Sequence, residues 1–449
     1  MCDSCVVLPS ATLNRKLWFA KNSDRHPNEP NLIICKEEAS FDLSKSPDLD
    51  LTYITIPQVE HTNRLLMIKP VWTWGCEMGV NSYNLCIGNE AVFTKGSYPE
   101  TGITGMDICR LVLERCKSAL EAVHLIGSLI ETYEQGGNCG FGEEFFYDNS
   151  FLIADSSEAF VVETSGKDWI AKRCDEVHAI SNYLSIDGEW DFSCANLARL
   201  NGKLDFSKKH TDRLRTRFAG GSLRRYGMYR TLLDARDGKP RPNVYSLIFG
   251  KNFESREKPE GVKYEIFKEA LRYHLPNGGY TESPCMHYGG PFGSQTTGSM
   301  IACPEDDFIA VTGGSTPCRS VFMPYMLNEN LPFGDNEAEA EGYWLKRELI
   351  QRNLLAGNID IYSYNEELLQ TEKELDSIRR PVGRADRDAY NKKIFETENA
   401  FVERYLARCS RELKKLTPKK GGFFYKKRWQ KVNTAFLNRY EAVMNALEH

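Results

Sequence analysis

The chain has 449 residues, and its 57 Lys and Arg against 62 Asp and Glu give a net charge of -5 at pH 7. Its 41% apolar and 27% charged residues match soluble globular proteins and exclude a mainly disordered chain. The mildly acidic balance argues against nucleic acid as a partner. No apolar run reaches about 18 residues, so we expect no membrane span.

The cysteines suggest an intracellular protein. All 14 are scattered between Cys2 and Cys409, and the N-terminus, MCDSCVVLPS, lacks the basic and apolar regions of a signal peptide. We therefore expect a cytoplasmic location and reduced thiols. Cys2 and Cys5 form a C-x-x-C pair, but a structural zinc site needs four ligands, and the eight histidines show no zinc-finger spacing. We expect no metal site and no cofactor.

The first third of the chain is rich in strand patterns. CDSCVVL and LWFAKN, separated by the polar PSATLNRK, predict a hairpin, and NLIICKEE, LTYITIP, RLLMIKPVW and LCIGNEAVF look similar. From Thr104 to Tyr133 the apolar residues recur at three and four, which predicts a helix or a helix pair. Strand patterns resume with SFLIADS, EAFVVETSG, WIAKRC and VHAISNYLSI, and return at 298–303 and 308–312.

The last half of the chain changes character twice. Residues 205–241 are basic, with arginines between Arg213 and Arg230 that we expect to form a solvated loop and helix face, although binding of a substrate carboxylate is an alternative. After about Pro332 the sequence consists of long, charged segments with a helical pattern. The order of strands, helices, strands and terminal helices predicts an α+β layered core with helices outside.

The second residue carries the clearest chemistry. Removal of Met1 is expected when residue two is small, and it would leave Cys2 with a thiol and a free α-amine. The α-amine has an ordinary pKa of about 7.7–8.0, so it can take the thiol proton and return it to a leaving group. Many chains begin Met-Cys, so this feature alone is weak.

Longer motifs strengthen that interpretation. They run in order through the first 325 residues: CDSCVVLPSAT (2–12), FAKNSDRHPNEPN (19–31), TWGCEMGVNSYNLCIGNEAVFTK (73–95), GITGMDICRLVLERC (102–116), FLIADSSEAFVVETSGKDWIAKR (151–173), HAISNYLSI (178–186), LRYH (271–274), CMHYGG (285–290), QTTGSMIA (295–302) and STPCRSVFMP (315–324). The set resembles the dipeptidase/secernin family of N-terminal nucleophile (Ntn) hydrolases, which are related to choloylglycine hydrolase and penicillin acylase.

The resemblance implies a fold and a domain division. We expect a four-layer αββα Ntn-hydrolase sandwich at 2–325, with two stacked antiparallel sheets between helical layers and the nucleophile at the start of a central strand. A mainly helical C-terminal part, 326–449, would pack on this core or extend it.

The resemblance also implies site roles. Cys2 takes the place of the nucleophile, Asp24 that of the acid that orients the α-amine or thiol, and Asn182 that of a side-chain amide donor to the oxyanion. Asn89 lies near the backbone N–H that completes the oxyanion hole. Lys21 stands where bile-salt and penicillin relatives carry an arginine. A turn-capping Asp24, a solvated Lys21 and a turn-forming Asn182 are the structural alternatives.

Several neighbouring residues are weaker candidates. Strand alternation places Lys21 and Asn22 on opposite faces, so we expect only one of them in the pocket. Trp72, Trp74 and Glu77 could line it, although such aromatic residues more often belong to the core. His274 and His287 would be needed only by a Cys–His hydrolase, and we expect structural roles for them.

The expected function is a dipeptidase-like hydrolysis of a small peptide or amide through a thioester acyl-enzyme at Cys2. Two alternatives stay open: a catalytically silent, secernin-like regulatory or binding protein, and an acyltransferase of the same fold. Relatives often self-associate, so a homo-oligomer is also open.

Overall fold

A computed structural model describes residues 1–239, 261–275, 281–289, 293–327, 330–381 and 386–448. The strands are β1 (Cys2–Val7), β2 (Trp18–Arg25), β3 (Asn31–Lys36), β4 (Ala39–Ser40), β5 (Asp48–Asp50), β6 (Thr55–Pro57), β7 (His61–Thr62), β8 (Leu65–Pro70), β9 (Met78–Asn81), β10 (Cys86–Val92), β11 (Asp148–Ala154), β12 (Ala159–Ser165), β13 (Asp168–Arg173), β14 (Val177–Ile180), β15 (Phe192–Ser193), β16 (Gln295–Cys303), β17 (Phe308–Thr312) and β18 (Phe322–Met326). The helices are α1 (Gly105–Arg115), α2 (Ala119–Tyr133), α3 (Phe206–His210), α4 (Arg213–Ala219), α5 (Gly221–Arg236), α6 (Tyr264–Leu271), α7 (Glu337–Ala356), α8 (Ile361–Ser377), α9 (Arg387–Leu406) and α10 (Phe423–Glu448).

Two antiparallel sheets form the core. The first has six strands in the order β14-β1-β2-β16-β17-β18, and the second has eight in the order β15-β13-β12-β11-β10-β9-β8-β3. The predicted N-terminal hairpin is β1–β2, in which Cys2 pairs with Ser23 and Cys5 with Ala20. Strand β1 also pairs with β14, so the strand that begins with Cys2 has a neighbour on each side.

The side chains of β1 alternate between two apolar layers. Val6 joins the large cluster that fills the space between the sheets, whereas Cys5 and Val7 join a second cluster with Met228 of α5 and Ile266 of α6. Cys2 has the parity of Val6. The N-terminal strand therefore directs Cys2 toward the layer between the sheets.

Helices cover both sheets. Helices α1 and α2 pack on the eight-stranded sheet, α5 and α6 pack on the six-stranded sheet, and β1 contacts β10 across the interior. The layers thus run helix, sheet, sheet, helix, and the predicted αββα sandwich is confirmed.

The helical segment after Thr104 forms as a pair. The Thr104 hydroxyl accepts the N–H of Asp107 at 3.0 Å, and α1 ends at Arg115. The Ser118 hydroxyl accepts the N–H of Glu121 at 3.2 Å and begins α2. These capping bonds satisfy N–H groups that a helix start leaves without partners, and they explain why the periodic segment divides in two.

The C-terminal helices pack on the core through buried charge. Glu372 of α8 accepts both terminal nitrogens of Arg272, at 3.0 and 2.6 Å. Arg352 of α7 donates to the carbonyl of Pro27 and to Oδ1 of Asn28, at 2.7 and 2.8 Å. The division at residue 325 stays a prediction, but the helices after it contact the core closely. In the described residues, every helix is too short or too polar to cross a bilayer.

Candidate active site

Cys2 begins β1 and is almost fully buried, with 4% of its surface exposed. Its backbone N–H donates to Oδ1 of Asn182 at 2.9 Å, and its thiol donates to Oε2 of Glu77 at 3.3 Å. Burial raises the pKa of the Cys2 thiol to about 12, with nearby Lys21 lowering it and Glu77 raising it further. With Met1 attached, the thiol is therefore protonated at neutral pH and needs a base before it can attack a carbonyl.

Met1, the residue that precedes Cys2, lines a cavity of about 670 Å³. Its ammonium donates to the backbone carbonyl of Asp24 at 2.7 Å, and its side chain packs on a small apolar cluster with Phe93 and Phe145. The cavity wall carries aromatic side chains and charges of both signs; they include Arg25, Glu29, Phe93, Tyr98, Phe141, Glu143, Glu144, Phe145, Arg215 and Phe218. Removal of Met1 would open this cavity toward Cys2.

Asn182 follows β14, which ends at Ile180, so the strand pattern VHAISNYLSI is longer than the strand itself. The side-chain amide of Asn182 donates to the carbonyl of Ala91 at 2.8 Å, while Oδ1 accepts the N–H of Cys2 and a hydrogen bond from Arg224. A primary amide has two N–H donors, and the bond to Ala91 uses one. Asn182 thus fixes the backbone of Cys2 and has donor capacity left.

Asp24 lies near the N-terminus and contacts it through its backbone carbonyl, not through its carboxylate. Oδ1 of its carboxylate accepts the hydroxyl of Thr296 at 2.6 Å, whereas the buried Oδ2 has no hydrogen-bond partner among the described residues. Burial raises the pKa of Asp24 to about 7, and the charge of Asp3 adds to the effect. An orphaned buried oxygen with a pKa near neutrality is unusual for a turn-capping aspartate.

Lys21 is fully buried between the sheets. Its ammonium donates to the carbonyl of Asn89 at 2.6 Å and lies 3.3 Å from Oε1 of Glu90. Burial disfavours its charge, but Cys2, Glu90 and Glu77 outweigh burial and raise the pKa of Lys21. Lys21 therefore stays cationic, and the alternative of a solvated lysine is wrong.

The next residue faces the other layer, as strand alternation predicts. The amide of Asn22 donates to the carbonyls of Leu271 and Pro284, each at 2.9 Å, on the helical side of the sheet. The side chains of Lys21 and Asn22 thus lie on opposite faces of the sheet. Lys21 is the one that lies beside Cys2.

Asn89 contacts two neighbours of Cys2, Lys21 and Glu77, through its backbone. Its side-chain amide donates to Oδ1 of Asn149 at 3.0 Å, and its backbone N–H donates to the carbonyl of Glu77 at a long 3.3 Å. Its own carbonyl receives Lys21. In this arrangement Asn89 holds Lys21 in place, and its role as an oxyanion donor stays a prediction.

Glu77 is more central than its sequence context suggests. One carboxylate oxygen accepts the Cys2 thiol, and the other lies 3.3 Å from the guanidinium of Arg25. Burial opposes ionisation of Glu77, but Arg25 and Lys21 outweigh burial and lower the pKa of its carboxyl. By contrast, Trp74 stacks on Arg110, whereas Trp72 donates to Glu29 at 2.9 Å and packs on the same apolar cluster as Met1.

Arg224 is a site residue whose burial sequence reasoning missed. Its Nε lies 3.1 Å from both carboxylate oxygens of Asp3, and its other nitrogens donate to Asn182 and to the carbonyl of Thr281. The side chain is fully buried, so the expectation of a solvated basic run is wrong at this position, although Arg213 and Arg230 are exposed. The available signal was helical spacing, because Arg224 follows Gly221 by three and precedes Met228 by four, on the buried face of α5.

His274 and His287 lie together in a different place. Their Nε2 atoms are 3.0 Å apart, and both line a second cavity, of about 610 Å³. Among the described residues, the histidine on the wall of the cavity beside Met1 is His26. The geometry places neither His274 nor His287 where it could serve Cys2 as a base.

Comparison with known proteins agrees with the motifs. Residues 23–214 match the model of peptidase family C69. A dipeptidase of Bifidobacterium longum is 29% identical over 231 residues, covering 43% of this chain and 39% of that protein. A probable dipeptidase B of Lactococcus lactis is 25% identical over 201 residues, covering 41% of this chain and 40% of that protein. The chain therefore spans about two fifths of the length of these curated relatives.

Solved structures with some likeness include a mutant conjugated bile acid hydrolase from Clostridium perfringens, at 13% identity and a TM-score of 0.43, over 74% of this chain and 94% of that chain. Another is the penicillin V acylase from Agrobacterium tumefaciens, at 11% identity and a TM-score of 0.38, over 74% and 88% of the two chains. The family match and the two dipeptidase relatives confirm the predicted resemblance to the dipeptidase/secernin family of peptidases.

Proposed function

We propose that this chain is a cysteine-dependent hydrolase of dipeptides or other small amides, in which Cys2 is the nucleophile once Met1 has been removed. One observation carries the proposal. Cys2 begins an inner strand, its N–H is held by Asn182 at 2.9 Å, and the residue before it, Met1, lines a cavity with aromatic and charged side chains. A nucleophile at a fixed strand end beneath a cavity can be positioned for attack with little loss of entropy.

The reaction would proceed in two halves. The α-amine of Cys2 takes the thiol proton, and the sulfur attacks the amide carbonyl to form a tetrahedral intermediate. The α-ammonium gives its proton to the leaving amine, the C–N bond breaks, and a thioester to Cys2 is left. Water, deprotonated by the same α-amine, then attacks the thioester and releases the acid, while the proton returns to sulfur.

We assign the surrounding residues by what they contact. The free N–H of the Asn182 amide would donate to the oxyanion, where one preorganised donor is worth about 10²–10³ in rate. Lys21 would stabilise the developing thiolate, because it is a buried cation held beside Cys2 by Asn89 and Glu90. Asp24 would orient the new N-terminus, and Arg224 would position Asn182.

The cavity fits a small substrate. Its volume of about 670 Å³ lies within the usual range of about 300–1,000 Å³ for ligand pockets. Aromatic walls that also carry Arg215 and the exposed Glu144, which have opposite charges, suit a molecule that carries both an amine and a carboxylate. We propose a dipeptide as the substrate class and the cytoplasm as the location.

The test controls when Cys2 becomes the N-terminal residue. A version of the chain that carries a cleavable extension before Cys2 is assayed on a dipeptide panel before and after cleavage, with intact mass confirming the new N-terminus. Hydrolysis should appear only after cleavage, Cys2→Ala should abolish it, and Cys2→Ser should retain little. Cys5→Ala is the matched control, because Cys5 is buried in the same strand on the opposite face.

Each alternative gives a distinct result. Equal hydrolysis by uncleaved protein or by Cys2→Ala would refute the mechanism. If cleaved protein hydrolyses no dipeptide, and thiol reagents do not label Cys2 in preference to the other cysteines, the silent binding protein would be favoured. Acyl transfer to an added amine in preference to water would identify an acyltransferase.

A further inference from the structure

Four potential metal ligands meet outside the site described above, on the wall of the second cavity. They are His274, Cys285, His287 and Cys318. His274 follows α6, Cys285 and His287 lie in the segment that precedes β16, and Cys318 lies in a short turn between β17 and β18. One ligand atom from each residue lies within 4.8 Å of all the others. Both cysteines are buried and both histidines half-buried.

Three of the distances among these atoms are close to those of a tetrahedral zinc site. Zn–S bonds of about 2.3 Å and Zn–N bonds of about 2.0–2.1 Å imply separations of about 3.3 Å between two nitrogens and about 3.5 Å between nitrogen and sulfur. The two Nε2 atoms are 3.0 Å apart, and Nε2 of His287 lies 3.6 Å from Sγ of Cys285 and 3.4 Å from Sγ of Cys318. Each measured distance is within about 0.3 Å of its tetrahedral value.

Hydrogen bonds alone satisfy this cluster poorly. Two facing Nε2 atoms can share one proton, and the same Nε2 of His287 also lies within hydrogen-bonding distance of both sulfurs. One divalent ion at the centre would give all four atoms a partner, and two thiolates would balance its charge. Soft thiolate and imidazole ligands in a tetrahedral S₂N₂ set select zinc among the common divalent metals.

We propose that His274, Cys285, His287 and Cys318 bind one structural Zn²⁺ ion. Four protein ligands close the coordination shell, so the site has no open position for a reacting water and is structural, not catalytic. Binding replaces the two thiol protons, which leave to solvent as the Zn–S bonds form. The proposal does not depend on hydrolysis at Cys2.

The ion would fasten the segment 281–289, which supports the candidate active site. Within this segment the carbonyl of Pro284 accepts the amide of Asn22 at 2.9 Å. The N–H of Met286 donates to the hydroxyl of Thr296 at 2.9 Å, and that hydroxyl donates to Asp24. Two of the four ligands flank Met286. Zinc would therefore hold Thr296 and Asp24 in place from outside the pocket.

The spacing of the ligands explains why the sequence did not predict the site. Only Cys285 and His287 are close in the chain, as C-x-H, and the other two ligands are 11 residues before and 31 residues after them. The expectation that the chain holds no metal rested on local C-x-x-C and His spacing. Three separate segments have to fold before the four side chains meet.

The first experiment measures metal in the untagged full chain, purified without chelators, by inductively coupled plasma mass spectrometry. We expect one zinc per chain, and loss of nearly all of it in Cys318→Ser and in His287→Asn. Cys303→Ala is the matched control, because Cys303 is a buried cysteine on β16 whose sulfur lies near Asn14 and Asp306; it should keep its zinc.

A second measurement uses the parent chain, so it does not depend on whether the variants fold. The parent chain is stripped with a strong chelator and titrated with Co²⁺, which should produce the intense visible bands of tetrahedral cobalt and a thiolate charge-transfer band, with saturation at one equivalent. Stripping should also lower the melting temperature, and Zn²⁺ should restore it. A zinc-free parent that takes up neither ion in saturable fashion, or a parent with Cys285 and Cys318 joined as a disulfide, would overturn the proposal.

Discussion

Replacement of Arg224 by methionine should show how strongly a buried charge organises the site. In the native protein, Arg224 Nε lies 3.1 Å from both oxygens of Asp3, and both side chains are fully buried. Arg224→Met keeps most of the side-chain volume and leaves the Asp3 carboxylate buried without its cation. Breaking a buried pair from one side costs about 3–5 kcal/mol, and we expect a loss of that size in the free energy of unfolding.

The second substitution tests the cause of that loss. Adding Asp3→Asn removes the stranded charge but restores none of the hydrogen bonds that Arg224 makes to Asn182 or Thr281. The double variant should therefore recover at least about 1 kcal/mol relative to Arg224→Met, the cost of one unsatisfied buried group. Its kcat/KM should stay low, because Asn182 still lacks its support.

The assay is urea unfolding followed by the fluorescence of the seven tryptophans, together with dipeptide hydrolysis. Arg230→Met is the matched control. Arg230 lies on the same helix but is 45% exposed and pairs with Asp234 at 2.8 Å over one turn, so its loss should cost only about 0.3–0.5 kcal/mol. Equal stability of Arg224→Met and the double variant at neutral pH would refute the reasoning.

Three further predictions concern the neighbouring groups. Gly88→Ala places a Cβ 2.3 Å from Cδ of Lys21, whose ammonium is held by Asn89. We therefore expect a loss of about 1–3 kcal/mol in the free energy of unfolding, measured in urea, and a lower kcat. A fully active variant of equal stability would contradict this. The pKa of Asp24 is about 7 in the folded protein against an ordinary value of 3.8, so its contribution to stability falls as pH rises from 3.8 to 7. The urea midpoint of Asp24→Asn should therefore fall less over this pH range than the midpoint of the parent. Parallel pH profiles of the two proteins would contradict the assignment. Thr104→Ala removes the cap of α1 and should lower stability by about 1 kcal/mol without changing KM; a shift in KM would show that α1 bears on the substrate.

The fold was largely predictable, because its signals are local. Two strand-like runs separated by a polar segment predict the hairpin, and the period of the segment after Thr104 predicts a helix or a helix pair; both elements formed, the second as a pair. Alternation also predicted that Lys21 and Asn22 face different layers. These patterns depend only on which side chains must be buried together.

The site was only partly predictable, because buried charges look like surface residues in a sequence. Arg224 lies among exposed arginines, and its buried charge is balanced by Asp3, more than 200 positions away. Glu77 and Cys2 similarly become neighbours through the stacking of two sheets. The roles of Asp24, Asn182 and Asn89 stay predictions, since geometry shows proximity and hydrogen bonds but not a reaction.

The contacts of Arg352 and Asn28 have a consequence for biosynthesis. The turn between β2 and β3 carries His26 and Glu29 into the wall of the candidate cavity, yet its polar groups are completed by Arg352 and by the carbonyl of Val432, at 2.9 Å from the Asn28 amide. A ribosome must therefore deliver almost the whole chain before this wall can reach its final form. A fragment limited to the region that matches the peptidase family would have to leave these buried groups unsatisfied, so shortening the protein to that region should yield an aggregating product and not a smaller folded protein.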